Sequence, residues 1–94
     1  MKVVWSEKAA AQLRAIHAYV AQSSERYATR LVDRITNRTK QIAQFPRSGR
    51  MVPEFEDELI RELLEAPYRI IYEIRPDQIV IAAVVHSSSE TGWR

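Results

Sequence analysis

The sequence holds no cysteine, which removes disulfides and thiolate metal sites together. That fits a reducing cytoplasm, the expected location. Two glycines among 94 residues are too few for a glycine-rich phosphate loop. Two histidines, His17 and His86, show no i, i+4 metal spacing, so neither a metal nor a cofactor is expected. No window approaches the ~20 apolar residues of a membrane span, and Glu7 stands where a signal peptide would continue its apolar stretch.

What remains is one small chain whose near-neutral charge conceals an asymmetry. The formal net charge is +2, yet residues 1–50 carry ten Lys/Arg against three Asp/Glu, and residues 51–94 carry four against nine. A basic half suits an acidic partner, either nucleic acid or an acidic protein segment. A solvated surface of mixed charge explains the same counts, because halves of a sequence need not be faces of a fold.

Met1–Trp5 reads as a short strand. Ser6 then caps a helix, with Glu7 favourable in its first turn. Ala9, Ala10, Leu13, Ile16 and Val20 recur at helical spacing. Gln22-Ser23-Ser24 is a polar break, and Ser24 caps a second helix with Ala28, Leu31, Val32, Ile35, Ile42 and Ala43 on one face. So short a link makes the two helices antiparallel neighbours. Pro46 and Gly49 stop the second helix near Phe45. Residues 47–58, with Gly49, Pro53 and four acids, read as loop. Strands follow at Leu59–Leu64, Tyr68–Arg75 and Ile79–Val85, the last apolar throughout, as in a central strand covered on both faces. The expected fold is α+β, in the order β-α-α-β-β-β: a mainly antiparallel sheet with an N-terminal αα-hairpin on one face, forming a single domain over 1–94.

Two sets of arginines stand out. Arg26, Arg30, Arg34 and Arg38 form an i, i+4 ladder on the second helix. A cationic stripe suits phosphate or an acidic protein, although arginine is also an ordinary choice for a solvated helix face. Arg50, Arg61 and Arg69 lie in or beside the sheet. Alternation sets Arg69 opposite Tyr68, Ile70 and Tyr72. If the helices cover the tyrosine face, Arg69 lies on an exposed concave side, open to a phosphate or an acidic peptide. The other reading pairs it within the sheet to Glu62 or Glu73. His86, at a strand end, suits general acid–base work, but Ser87–Ser89 beside it do not make a triad. Trp93 lies in a polar tail, with reason to dock on its own chain or on a partner.

Taken in order, Val4-Trp5-Ser6, Ala9/Ala10, Leu13, Ile16, Tyr19, Phe45-Pro46, Gly49-Arg50, Val52-Pro53-Glu54, Arg61-Glu62, Tyr68-Arg69-Ile70-Ile71-Tyr72 and Val84-Val85-His86 resemble the ParE branch of the RelE/ParE toxin superfamily. The resemblance spans nearly the whole chain and implies the fold read above. It implies the toxin of a type II toxin–antitoxin pair. Its partner would be a cognate, ParD-like antitoxin whose C-terminal segment folds on binding, forming a hetero-oligomer. RelE-like members cut mRNA in the ribosome; ParE-like members poison DNA gyrase and meet DNA only through that complex. Of the RelE-type groups, only the tyrosine-following arginine is kept, as Arg69. The strand lysines fall on Ile60 and Glu62, the later arginine on Ser89, and the chain ends before the tyrosine. The resemblance thus implies a toxin that acts by binding, with Arg50, Arg61, Arg69, His86, Trp93 and the arginine ladder as contact candidates. An mRNA interferase, or a non-toxic relic that still holds antitoxin, is the alternative. The usual arginine shortly after the histidine is absent at Ser87–Ser89, which bears on the strength of toxicity.

Overall fold

In a computed structural model, which describes residues 1–88, the chain runs β1 (Lys2–Trp5), α1 (Glu7–Ala21), α2 (Glu25–Gln44), β2 (Arg50–Met51), β3 (Ile60–Glu65), β4 (Tyr68–Ile74) and β5 (Gln78–His86). Serine hydroxyls start both helices. Ser6 Oγ accepts the Ala9 amide at 3.0 Å and Ser24 Oγ accepts the Tyr27 amide at 3.1 Å, each satisfying a donor that the first turn leaves open. The α2 end is closed by the Phe45 amide, which donates to the Gln41 carbonyl at 2.8 Å.

The strands form one sheet in the order β1-β5-β4-β3-β2. β1 runs parallel to β5, and the other three pairings are antiparallel. β5 is central as expected, but its second face is only half covered: Val80, Ala82 and Val85 are half-buried. Residues 47–58 are not wholly loop. Arg50 pairs with Glu62 and Met51 with Arg61, adding a two-residue edge strand that alternation over so short a stretch does not reveal.

The helices pack on one face of the sheet, where Ala9, Leu31, Ile35 and Ile42 meet Ile70, Tyr72, Ile79 and Ile81. Thr39 is buried on the same helix face because its hydroxyl donates to the Thr36 carbonyl at 2.6 Å, which satisfies it without a partner elsewhere. A second, smaller cluster of Val52, Ile60, Ile71 and Ala83, flanked by Phe55 and Val85, occupies the opposite face. The segment after β2 therefore lies over the side expected to be open, and this cover decides the fate of Arg69.

Candidate functional site

Arg69 does lie opposite Tyr68, Ile70 and Tyr72, but it is buried, not exposed. Its Nε donates to Glu62 Oε1 at 2.6 Å. Its two terminal nitrogens grip Glu54 in a fork, Nη1 to Oε2 at 3.1 Å and Nη2 to Oε1 at 3.0 Å. Glu62 itself is fully buried and takes a second cation, Arg50 Nε, at 2.5 Å on its other oxygen. The result is an alternating line, Arg50–Glu62–Arg69–Glu54, with no formal net charge. Of the two readings of Arg69, the intrasheet pair is the one observed, with Glu62 as the partner. Glu73 instead binds Arg75 at 2.7 Å.

This line follows from register. Glu62 faces Arg50 across the β2–β3 pair, and Arg69 sits diagonally across the β3–β4 pair, where Leu64 is its direct opposite. Two buried charges of opposite sign satisfy each other only when their remaining hydrogen bonds are also met, and the Glu54 fork takes one donor from each terminal nitrogen of the guanidinium. In the sequence Glu54 stands as one of four loop acids and as the end of the Val52-Pro53-Glu54 run, with no charge partner assigned. Its role needed the loop to fold back over the sheet.

The Arg69 hydrogen bonds hold the Glu54 carboxyl below its ordinary value of 4.5, while desolvation works against them. A depressed carboxylate stabilises the fold above its unfolded pKa, and that contribution is lost as pH falls through the lowered folded value. Acid below about pH 4.5 is therefore expected to loosen the 52–59 segment first, read as faster amide exchange there. Glu54→Gln should remove this acid dependence. An unchanged acid profile in that variant would show the clasp to be idle.

Arg61 lies on the helix-side face, apart from Arg50 and Arg69. Its Nε donates to the Glu58 carbonyl and its Nη1 to the Gly49 carbonyl, both at 2.9 Å. Beside it the Tyr72 hydroxyl is locked: it accepts the Gly49 amide at 3.0 Å and donates to the Pro46 carbonyl at 2.6 Å. Burial pushes the Tyr72 phenol up, against the pull of the Gly49 amide and the Arg61 charge. Sequence marks Tyr72 only as a core residue; its polar tip holds the helix-to-β2 turn against the sheet.

The arginine ladder divides. Arg34 and Arg38 both reach Glu65, at 3.3 and 3.2 Å, and Arg38 also donates to the Leu64 carbonyl. The Arg34 guanidinium stacks over the Tyr27 ring at 5.6 Å. These two tie α2 to the end of β3. Arg26 and Arg30 remain on the solvent side. His86 is exposed at the end of β5, edge-on to Tyr68. Its Nδ1 accepts the Ser88 amide at 3.1 Å and lies 2.7 Å from the Ser88 hydroxyl. With Nδ1 accepting that amide, the neutral ring carries its proton on Nε2. Trp93 and Ser89 lie outside the described residues. The structure thus gathers Arg50 and Arg69, keeps Arg61 on the other face, and leaves His86 and the ladder at separate places.

Among the described residues no group of three His, Cys, Asp or Glu side chains gathers to hold a metal ion, and no helix is long and apolar enough to cross a membrane.

The model of the family described as ParE toxin of type II toxin-antitoxin system, parDE, matches residues 3–90. Toxin RelE2 of Caulobacter vibrioides is 30% identical over 87 residues, covering 93% of this chain and 96% of that protein. A solved structure of the chromosomal ParDE TA system from P. aeruginosa matches with a TM-score of 0.75 at 29% identity, over 92% of this chain and 95% of that one. A β-α-α then sheet order, a Gly-Arg turn and a Tyr-Arg strand stand here in one frame with these matches: the chain belongs to the ParE toxin family of type II toxin–antitoxin systems.

Proposed function

We propose that this toxin acts by binding DNA gyrase and not by cutting RNA, and that a ParD-like antitoxin neutralises it in the cytoplasm. One observation carries the reading: the cations nearest the sheet face are already matched by the chain's own carboxylates. Cleavage by 2′-hydroxyl attack needs a base, an acid and free cations around a phosphate that gains charge in the transition state. Here Arg69 is held between Glu62 and Glu54, and Arg50 is tied to Glu62. A phosphate brought to this place would meet Glu62 at close range. Ile60, at the other position where a RelE-type enzyme has lysine, is buried in the small cluster. His86 supplies a proton donor at Nε2, but among the described residues no carboxylate orients it.

The test is a supercoiling assay with purified toxin, gyrase and ATP. Inhibition, with covalent gyrase–DNA breaks on denaturation, is expected. Full supercoiling at a large molar excess of toxin would end the gyrase reading. The relative named RelE2 keeps the interferase in view as the competitor. Primer extension on translated mRNA after induction should show no discrete cuts; cuts in the ribosomal A site would replace this proposal with that one.

A further inference from the structure

At the C-terminal end of α2 lies an open groove of ≈ 700 Å³, lined by Met1, Phe45, Pro46, Arg47 and Ile74 with two polar neighbours. Its most prominent member is Phe45, 63% exposed. The backbone there is held on three sides. The Phe45 amide donates to Gln41, the Phe45 carbonyl accepts the Ser48 amide at 2.9 Å, and the Pro46 carbonyl accepts the Tyr72 hydroxyl. A rigid turn therefore presents a large aromatic ring to water, with Met1 beside it at 49% exposure. An exposed aromatic on a fixed backbone loses little conformational freedom on binding, which is the property of a binding hot spot. Among the described residues the ring joins neither apolar cluster.

We propose that this groove receives an apolar side chain of the antitoxin, flanked by a carboxylate that pairs with Arg47. The proposal rests on the toxin–antitoxin reading above and adds the surface and the chemistry of the contact. Charge selects the occupant. Among the described residues Arg47 is the only charged side chain lining the groove, is exposed, and has no ion-pair partner. A second copy seated groove to groove on a two-fold axis would bring the two Arg47 rims together with no acid from either groove between them, which is unfavourable. An acidic, partly apolar segment meets both the groove and its rim. Phe45 lies at the far end of α2 from Tyr19, the most exposed aromatic of the hairpin, so the two provide separate probes.

The experiment measures binding of the wild-type toxin and of Phe45→Ser, Arg47→Glu and Tyr19→Ser to the small protein encoded beside the toxin, purified in its full length. Circular dichroism first checks that each variant is folded. Phe45→Ser is expected to weaken Kd at least tenfold, on the order of a hot-spot aromatic. Arg47→Glu should weaken it by roughly tenfold and flatten its salt dependence. Tyr19→Ser should bind as wild type. Unchanged Kd for both Phe45→Ser and Arg47→Glu, with wild-type binding intact, overturns the groove alone. So does a loss confined to Tyr19→Ser. A wild-type toxin that forms a dimer broken by Phe45→Ser also overturns it, in favour of a second copy. Failure of wild type to bind at all overturns the pairing on which the proposal rests.

Discussion

Glu62→Ala is expected to destabilise the protein by about 3 kcal/mol, because it leaves the buried Arg69 Nε without its acceptor and empties a packed site. Glu62 has no exposed side-chain surface and is the link between Arg50 and Arg69. Arg50 is 60% exposed and would simply solvate, but Arg69 is only 7% exposed and would keep Glu54 alone. A domain of this size has about 5–15 kcal/mol in total, so the variant should sit near its folding limit. Urea unfolding gives the number. A loss below about 1 kcal/mol would mean that water reaches Arg69 and that the line is a surface feature. The paired change Glu62→Leu with Arg69→Met is the informative control. Replacing both charges by apolar groups of similar bulk is expected to cost less than Glu62→Ala alone, because no buried charge is then left without a partner. If the pair costs as much as the single, lost packing and not lost charge explains both.

The second large effect is expected at Gly49, for steric reasons. A Cβ there would stand 2.6 Å from the Glu62 carbonyl oxygen and 2.6 Å from the Tyr72 hydroxyl. The carbonyl belongs to β3, which is held by neighbours on both sides, so it cannot yield. The hydroxyl can move only by giving up the Gly49 amide and the Pro46 carbonyl. Overpacking and the lost buried hydrogen bonds together put Gly49→Ala at about 3 kcal/mol. Tyr72→Phe alone should cost about 1–3 kcal/mol, since it leaves that amide and carbonyl unpaired. The double variant should lose less than the sum, because the phenol oxygen that clashes is gone. Strict additivity would show that the clash with β3 alone sets the cost, and a Gly49→Ala protein within about 0.5 kcal/mol of wild type would refute the close approach.

Much of this fold is readable from residue order because its signals are local. Ser6 and Ser24 cap where serines before apolar periodicity should, and Ala28, Leu31, Ile35 and Ile42 are buried as the 3.6-residue spacing requires. Alternation put Arg69 on the correct side of β4. What alternation cannot report is what lies above that side. The cover comes from residues 52–59, whose acids read as solvent-facing loop until Val52 and Phe55 are seen packing beneath them. Of the two readings that the sequence leaves open for Arg69, the paired one holds through Glu62, and Glu54 joins it from the covering segment. β2 escaped because two residues hold no period. Tyr72 was placed correctly in the core, but a tyrosine's need for a hydroxyl partner is met at Pro46 and Gly49, more than twenty positions away, which no local pattern encodes.

The parallel pairing of β1 with β5 also fixes when the molecule can be finished. Lys2 through Trp5 pair with Gln78 through Ile81, so β1 waits for β5, more than seventy residues later in synthesis. The sheet also inserts β5 between β1 and β4, and no part of β1 can close on the growing chain earlier. Contacts of such long range form slowly, and they cannot form at all while the final strand is still within the ribosome. A growing chain would therefore hold an incomplete sheet until Ile81 has emerged, and everything made before that point would wait with β1 unpaired.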